Sequence, residues 1–155
     1  CQPNKATRLK EYRVKILLAY DNSDYAEVAL ERAAILAKTL DAQLSVISVI
    51  PELSCAAAGF PENYCETVNN AFAKECKELL DKACALLADK GIRAQSILEF
   101  GHPAGKILEA AETLGADMIV LGSRGTHGLE RFLLGSVSSK VAAHAKCDVL
   151  IARTS

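Results

Sequence analysis

The sequence predicts an α/β protein with a five-stranded parallel sheet in the order 3-2-1-4-5 and helices on both faces, a Rossmann-like arrangement. Apolar runs of strand length alternate with longer segments whose apolar residues recur every three or four positions, which indicates right-handed strand–helix–strand units. The first and fourth runs are apolar throughout, as expected for central strands buried on both faces. The third run carries Gln95 and Glu99, which favours a position at the edge of the sheet.

Each predicted element has a recognisable start or end. Ser23 or Asp24 can cap the first helix, and Pro103 suits the first turn of the third. The long second helix has an apolar stripe at Val68, Phe72, Cys76, Leu79, Ala83 and Leu86. We predict strands at 14–20, 43–50, 93–100, 117–121 and 147–152, helices at 24–40, 66–90, 103–114 and 136–145, and a loop at 54–64.

Composition limits the class of protein. The chain has 155 residues, of which 50% are apolar and 24% charged, with a net charge of −1. These values indicate one soluble domain and give no basic field that would attract nucleic acid or an anionic membrane. No apolar run approaches the roughly 20 residues of a membrane span, and no signal-peptide core is present near residue 1. We therefore expect a cytoplasmic protein with a loose polar leader at 1–13 and a single domain at 14–155.

The six cysteines do not indicate a metal site, because none lies in a pair at zinc-binding spacing. Cys76 and Cys84 fall on one face of the second helix, where we expect burial. Cys55 and Cys65 flank a loop and lie close enough in sequence to meet. The expected reducing compartment argues against a structural disulfide there.

The predicted strand order changes direction between the first and fourth strands. Ligands of such sheets bind beyond the carboxyl ends of the strands at this switch point. Two segments meet there, namely Asp21-Asn22-Ser23 and Gly122-Ser123-Arg124-Gly125. The second continues to Gly135-Ser136 at a helix start, with the spacing G-x2-G-x9-G-S. Glycines allow a phosphate to approach the backbone, and the amides of a helix N-terminus attract anions.

Each of these features also has a purely structural interpretation. A glycine taken alone can serve only to turn the chain or to begin a helix, and Asp21 can serve only to cap the following helix. Arg124 is as well explained as a solvated loop side chain as by a contact to phosphate. His127 is better explained as a loop histidine than as a titrating group of the site.

The glycine spacing resembles the ATP-binding motif of the universal stress protein family. The resemblance extends from Val14 to Arg153 and includes the segments 116–125 and 147–151. It implies that Asp21 lies near the adenosine moiety, that Ala19, Val49 and Leu121 line the adenine pocket, and that Gly122, Arg124 and Gly125 lie near the ribose and phosphates. It further implies phosphate contacts at Gly135, Ser136 and Val137. Asn22 and Ala26 depart from the family, which often has Gly and Ser at those positions.

The resemblance implies a module that binds ATP, which carries Mg²⁺ at cellular pH, and acts as a stress-response switch. No P-loop, nucleophile elbow or kinase-type catalytic set is present, so we expect little or no hydrolysis. The alternative is an enzyme of the adenine-nucleotide α/β class that catalyses adenylation or phosphoryl transfer. A dimeric scaffold with an unused pocket is a third interpretation.

The predicted fifth strand, 147–152, is apolar, lacks proline and carries one acid. An edge strand of this kind has little of the protection that exposed edges usually have. Pairing with the same strand of a second subunit would satisfy its outer backbone groups. We therefore expect a homodimer through this strand, as the resemblance also implies.

Overall fold

The structure is a computed structural model that describes residues 12–51, 59–125 and 134–154. Strands and helices alternate along these residues. The strands are β1 (Lys15–Ala19), β2 (Gln43–Ile50), β3 (Ala94–Phe100), β4 (Met118–Gly122) and β5 (Asp148–Ala152). The helices are α1 (Asp24–Thr39), α2 (Glu62–Asp89), α3 (Pro103–Leu114) and α4 (Ser136–His144).

The strands form one fully parallel sheet in the order β3-β2-β1-β4-β5, which confirms the predicted topology. Leu17 of β1 lies opposite Ser45 of β2 on one side and Ile119 of β4 on the other. The polar third strand lies at one edge, as predicted, and β5 lies at the other. The switch point therefore lies between the carboxyl ends of β1 and β4.

Alternate residues of the central strands face two separate apolar layers. Ile16 and Leu18 pack with α1 and α2, whereas Leu17 and Ile119 pack with α3 and α4. The face of α1 that meets the sheet is built largely of alanine, and these small side chains allow the helix to approach the strands closely. Burial on both faces explains why the sequences of β1 and β4 are apolar throughout.

The predictions for the long second helix were partly wrong. It begins at Glu62, not near Glu66, and its buried residues are Cys65, Leu80, Ala83 and Leu87. Of the predicted stripe only Ala83 is fully buried, and the side chain of Phe72 is 43% exposed. A helix of 28 residues is about 42 Å long, whereas the seven-residue β3 spans about 23 Å. The sheet cannot cover the whole helix, so periodicity alone does not identify its buried face.

The cysteines differ from expectation in two ways. Cys76 and Cys84 are half-buried, and this burial raises the pKa of both thiols. Cys65 is buried and disulfide-bonded, whereas no structural disulfide was expected between Cys55 and Cys65; Cys55 lies outside the described residues. That expectation was based on the redox compartment, which says nothing about which sulfur atoms the fold brings together.

Some predictions fall outside the described residues. They concern the leader 1–13 apart from Tyr12 and Arg13, residues 54–58 of the loop 54–64, and His127. None of the helices in the described ranges is both long and apolar enough to cross a membrane.

Candidate functional site

The turn after β1 is built by three polar residues. Ser23 caps α1, because its Oγ accepts a hydrogen bond from the Ala26 amide at 3.1 Å. The Oδ1 atom of Asp21 accepts hydrogen bonds from the Ser23 amide at 3.1 Å and from the Ser23 hydroxyl at 2.6 Å. Asn22 has a φ of 61°, a left-handed conformation that asparagine tolerates better than most residues. Asn22 can therefore occupy a backbone conformation that otherwise favours glycine.

The two ends of the glycine segment are joined at Ser123. The Ser123 carbonyl accepts hydrogen bonds from the Gly135 amide at 2.8 Å and from the Ser138 hydroxyl at 2.9 Å. The Ser123 amide donates to the Ala152 carbonyl of β5 at 2.8 Å. These bonds hold the N-terminus of α4 against the end of β4 and also join the residue after β4 to the end of β5.

Each glycine of the motif has a different neighbour. A Cβ atom built on Gly122 would lie 2.7 Å from the Cβ atom of Tyr25 and 2.8 Å from its backbone carbon. A Cβ on Gly125 would lie 2.7 Å from the Oδ2 atom of Asp21, and one on Gly135 would lie 3.2 Å from the Cα atom of Arg124. Gly122 therefore permits α1 to pack against β4, Gly125 permits the Asp21 carboxylate to approach, and Gly135 permits close packing against the Arg124 and Ser123 backbone.

A cavity of about 550 Å³ opens at the switch point; we call it the switch-point cavity. All ten residues predicted from the sequence line it, namely Ala19, Asp21, Val49, Leu121, Gly122, Arg124, Gly125, Gly135, Ser136 and Val137. One end is apolar, and the other contains the glycines and the start of α4. Among the described lining residues, Asp21 and Arg124 are the charged ones. A larger cavity of about 770 Å³ lies at the amino ends of the strands and includes none of these ten residues.

Sequence analysis did not assign several lining residues to the site. Cys76 and Leu79 of α2, and Pro103 and Ile107 of α3, complete the apolar wall. In the sequence, Cys76 and Leu79 are indistinguishable from core positions of an amphipathic helix. The Gly101-His102-Pro103 break did carry a signal, because it follows the carboxyl end of β3 and so must lie at the same edge of the sheet.

Two titratable groups of the wall have raised pKa values. Burial, and then the hydrogen bond from its hydroxyl to Glu27 at 2.5 Å, raise the pKa of Tyr20 far above its usual range. Burial likewise raises the pKa of Cys76, and a hydrogen bond with Ser48 partly offsets this effect. Both groups are therefore neutral near pH 7 and extend the uncharged part of the wall.

The polar end of the cavity suits a phosphate-bearing ligand. Gly135 is the N-cap of α4, and no side chain there hydrogen-bonds to the first turn of the helix. The first amides of a helix lack acceptors within the helix and attract anions. A side chain at Gly125 would meet the Asp21 carboxylate, and one at Gly135 would meet the Arg124 backbone. The described residues contain no cluster of three or more metal-ligating side chains.

The fold and this cavity define a doubly wound α/β protein with a glycine-lined cavity at its topological switch point. Residues 13–153 match the universal stress protein family. The chain is 39% identical over 145 residues to universal stress protein YxiE of Bacillus subtilis (strain 168), covering 90% of this chain and 98% of that protein. The protein therefore belongs to the universal stress protein family.

Solved structures agree with this assignment. Universal stress protein UspA from Lactobacillus plantarum superposes with a TM-score of 0.80 at 26% identity, covering 92% of this chain and 100% of that one. A universal stress protein solved in complex with cAMP gives a TM-score of 0.68 at 26% identity and covers 92% of this chain and 98% of that chain. The recognition of the family from the glycine spacing is thus confirmed.

Proposed function

We propose that this protein binds ATP in the switch-point cavity and acts as a nucleotide-dependent switch in the stress response. One observation carries the proposal: the ten residues selected from the sequence converge on a single cavity with an apolar end and an amide-rich end. A nucleotide has the same two parts, a flat base and an anionic phosphate chain. The cAMP complex of a related protein supports an adenine nucleotide as the ligand class.

The proposed binding mode follows from the polarity of the walls. The base would lie against Ala19, Val49 and Leu121, and the phosphates would accept hydrogen bonds from the amides at Gly125 and the start of α4. Mg²⁺ that arrives with ATP would offset the charge of Asp21, whose Oδ2 atom borders Gly125.

The cavity gives more support to binding than to catalysis. Its charged side chains among the described residues are Asp21 and Arg124, and Asp21 is already held by Ser23. Amides bind phosphate equally well before and during a reaction unless they face a developing charge. We therefore propose hydrolysis far below the roughly 1–1000 turnovers per second of typical enzymes. Several turnovers per second, lost with the glycine variants below, would instead support the adenylation or phosphotransfer alternative.

Titration calorimetry with ATP tests the binding proposal. Gly125→Val and Gly135→Val should each abolish measurable affinity. A side chain at Gly125 would collide with the Asp21 carboxylate and one at Gly135 would press on the Arg124 backbone, so both would displace the amides proposed to bind the phosphates. Gly105→Ala is a matched control, because Gly105 is an exposed position of α3 and a Cβ there would meet nothing closer than 4.0 Å. Circular dichroism must show that both valine variants fold. Unchanged ATP affinity in folded valine variants would contradict the proposed placement.

We further propose that β5 pairs with its counterpart in a second subunit. β5 is an edge strand, and Val149, Leu150 and Ile151 remain partly exposed. Ala145 to Cys147 link α4 directly to this strand, so a ligand at α4 can alter the interface if it binds the two association states differently. Sedimentation of the protein at micromolar concentration, with and without ATP, tests this; a monomer in both conditions would contradict it.

A further inference from the structure

The side chain of Tyr25, in the first turn of α1, contacts the one cation among the described lining residues of the switch-point cavity. The Nη1 atom of Arg124 donates a hydrogen bond to the Tyr25 hydroxyl at 3.1 Å. The Arg124 guanidinium carbon also lies 5.6 Å from the centroid of the Tyr25 ring, within the range of a cation–π interaction. Tyr25 itself does not line the cavity, so it contacts Arg124 from outside the site.

The backbones of both partners are closely packed. The backbone of Tyr25 lies against Gly122, where even a methyl group would overlap it. The Cα atom of Arg124 lies against Gly135, the N-cap of α4. Tyr25 therefore packs against the end of β4, and Arg124 packs against the start of α4.

We infer that Tyr25 is a positioning residue that holds the Arg124 guanidinium at the polar end of the cavity and so favours nucleotides with more phosphates. This inference rests on the proposed ATP site. An arginine side chain loses rotamer freedom when it is fixed. Because Tyr25 restrains the side chain before the ligand arrives, less of that entropy is lost when a phosphate chain binds. Adenosine has no phosphate, so its affinity should not depend on this restraint.

Calorimetry with both ATP and adenosine tests the inference. Tyr25→Phe keeps the ring but removes the hydroxyl, and Tyr25→Leu removes both contacts. From typical strengths of such contacts we expect ATP affinity to fall about threefold and about tenfold, respectively. Adenosine affinity should change by less than about twofold, because the base contacts are intact. Tyr64→Phe, at an exposed position near the start of α2, should leave both affinities unchanged.

A double-mutant cycle separates positioning from a general structural role. In an Arg124→Gln background, Tyr25→Leu should have no further effect on ATP affinity. Equal losses for ATP and adenosine, or a full tenfold loss in that background, would overturn the inference.

If the unmodified protein binds ATP and Tyr25→Leu changes nothing, only the role of Tyr25 fails. If the unmodified protein does not bind ATP, the proposed function fails and this inference fails with it. Should Tyr25→Leu not fold, Tyr25→Phe in the same cycle decides by its threefold effect.

Discussion

The close packing of Gly122 against Tyr25 predicts how much stability the protein loses when a methyl group is added at this position. In Gly122→Ala the new methyl carbon would lie 2.7–2.9 Å from the Cβ, carbonyl carbon and carbonyl oxygen of Tyr25. Carbon atoms normally pack at about 3.5–4.0 Å, so α1 and β4 would have to separate by roughly 1 Å. Two of the three contacted atoms belong to the helix backbone, so a change of rotamer cannot relieve the overlap. Overpacking of this kind typically costs about 1–3 kcal/mol.

Equilibrium unfolding in guanidinium chloride, followed by circular dichroism, measures this cost without any ligand. Gly105→Ala is the matched control, because its methyl group has space and alanine is favoured over glycine in a helix by up to about 1 kcal/mol. We expect Gly122→Ala to be less stable than the unmodified protein and Gly105→Ala to be at least as stable. A Gly122→Ala protein of unchanged stability would refute the steric argument, as would a loss of the same size in Gly105→Ala.

Three further predictions concern single side chains. Asp117→Asn should lower the free energy of unfolding by about 1 kcal/mol at pH 7, because hydrogen bonds from Tyr12 and from the Lys15 amide stabilise the carboxylate and lower the pKa of Asp117. This contribution is present above the usual pKa of 3.8 and is lost as the pH falls through the lower pKa of the folded state. Unfolding curves that show the same difference between the two proteins at pH 2.5 and at pH 7 would contradict this. Cys76 should react with iodoacetamide faster as the pH rises toward and above 9, because burial raises the pKa of its thiol; mass spectrometry measures this reaction. The modified protein should lose ATP affinity, because the thiol lines the cavity. Full ATP affinity by calorimetry after complete modification would exclude the wall at Cys76 from the binding site. Asp21→Asn should reduce the dependence of ATP affinity on Mg²⁺, because it removes the carboxylate charge beside Gly125, and an unaltered dependence in calorimetry would leave Asp21 with its contacts to Ser23 alone.

Several features could be predicted from the sequence because they depend on local pattern. The alternation of strands and helices, the apolar sequences of β1 and β4 and the polar β3 together indicated the strand order. That order located the switch point, and the family resemblance implied the site residues between positions 19 and 137 around it. The cap at Ser23 followed from residue type alone.

The remaining features depend on contacts that no local pattern encodes. Gly122 is predicted from its motif to lie beside phosphate, yet its most restrictive neighbour is the backbone of Tyr25, which reaches it through the crossing of α1 over β4. The exposure of Phe72 follows from the length of α2 relative to the sheet. Cys76 belongs to the cavity wall only because α2 passes over the end of β2.

A crystal structure of the protein grown with Mg²⁺ and a non-hydrolysable ATP analogue would show where the nucleotide binds. We predict ordered phosphates within about 3.2 Å of the backbone amides at Gly125 and at Ser136 and Val137, with the base between Val49 and Leu121. The larger cavity beside Lys15 and Arg93, at the amino ends of the strands, provides an internal comparison and should contain no nucleotide. A nucleotide bound in that cavity, with the glycine segment unoccupied, would contradict the proposed nucleotide site.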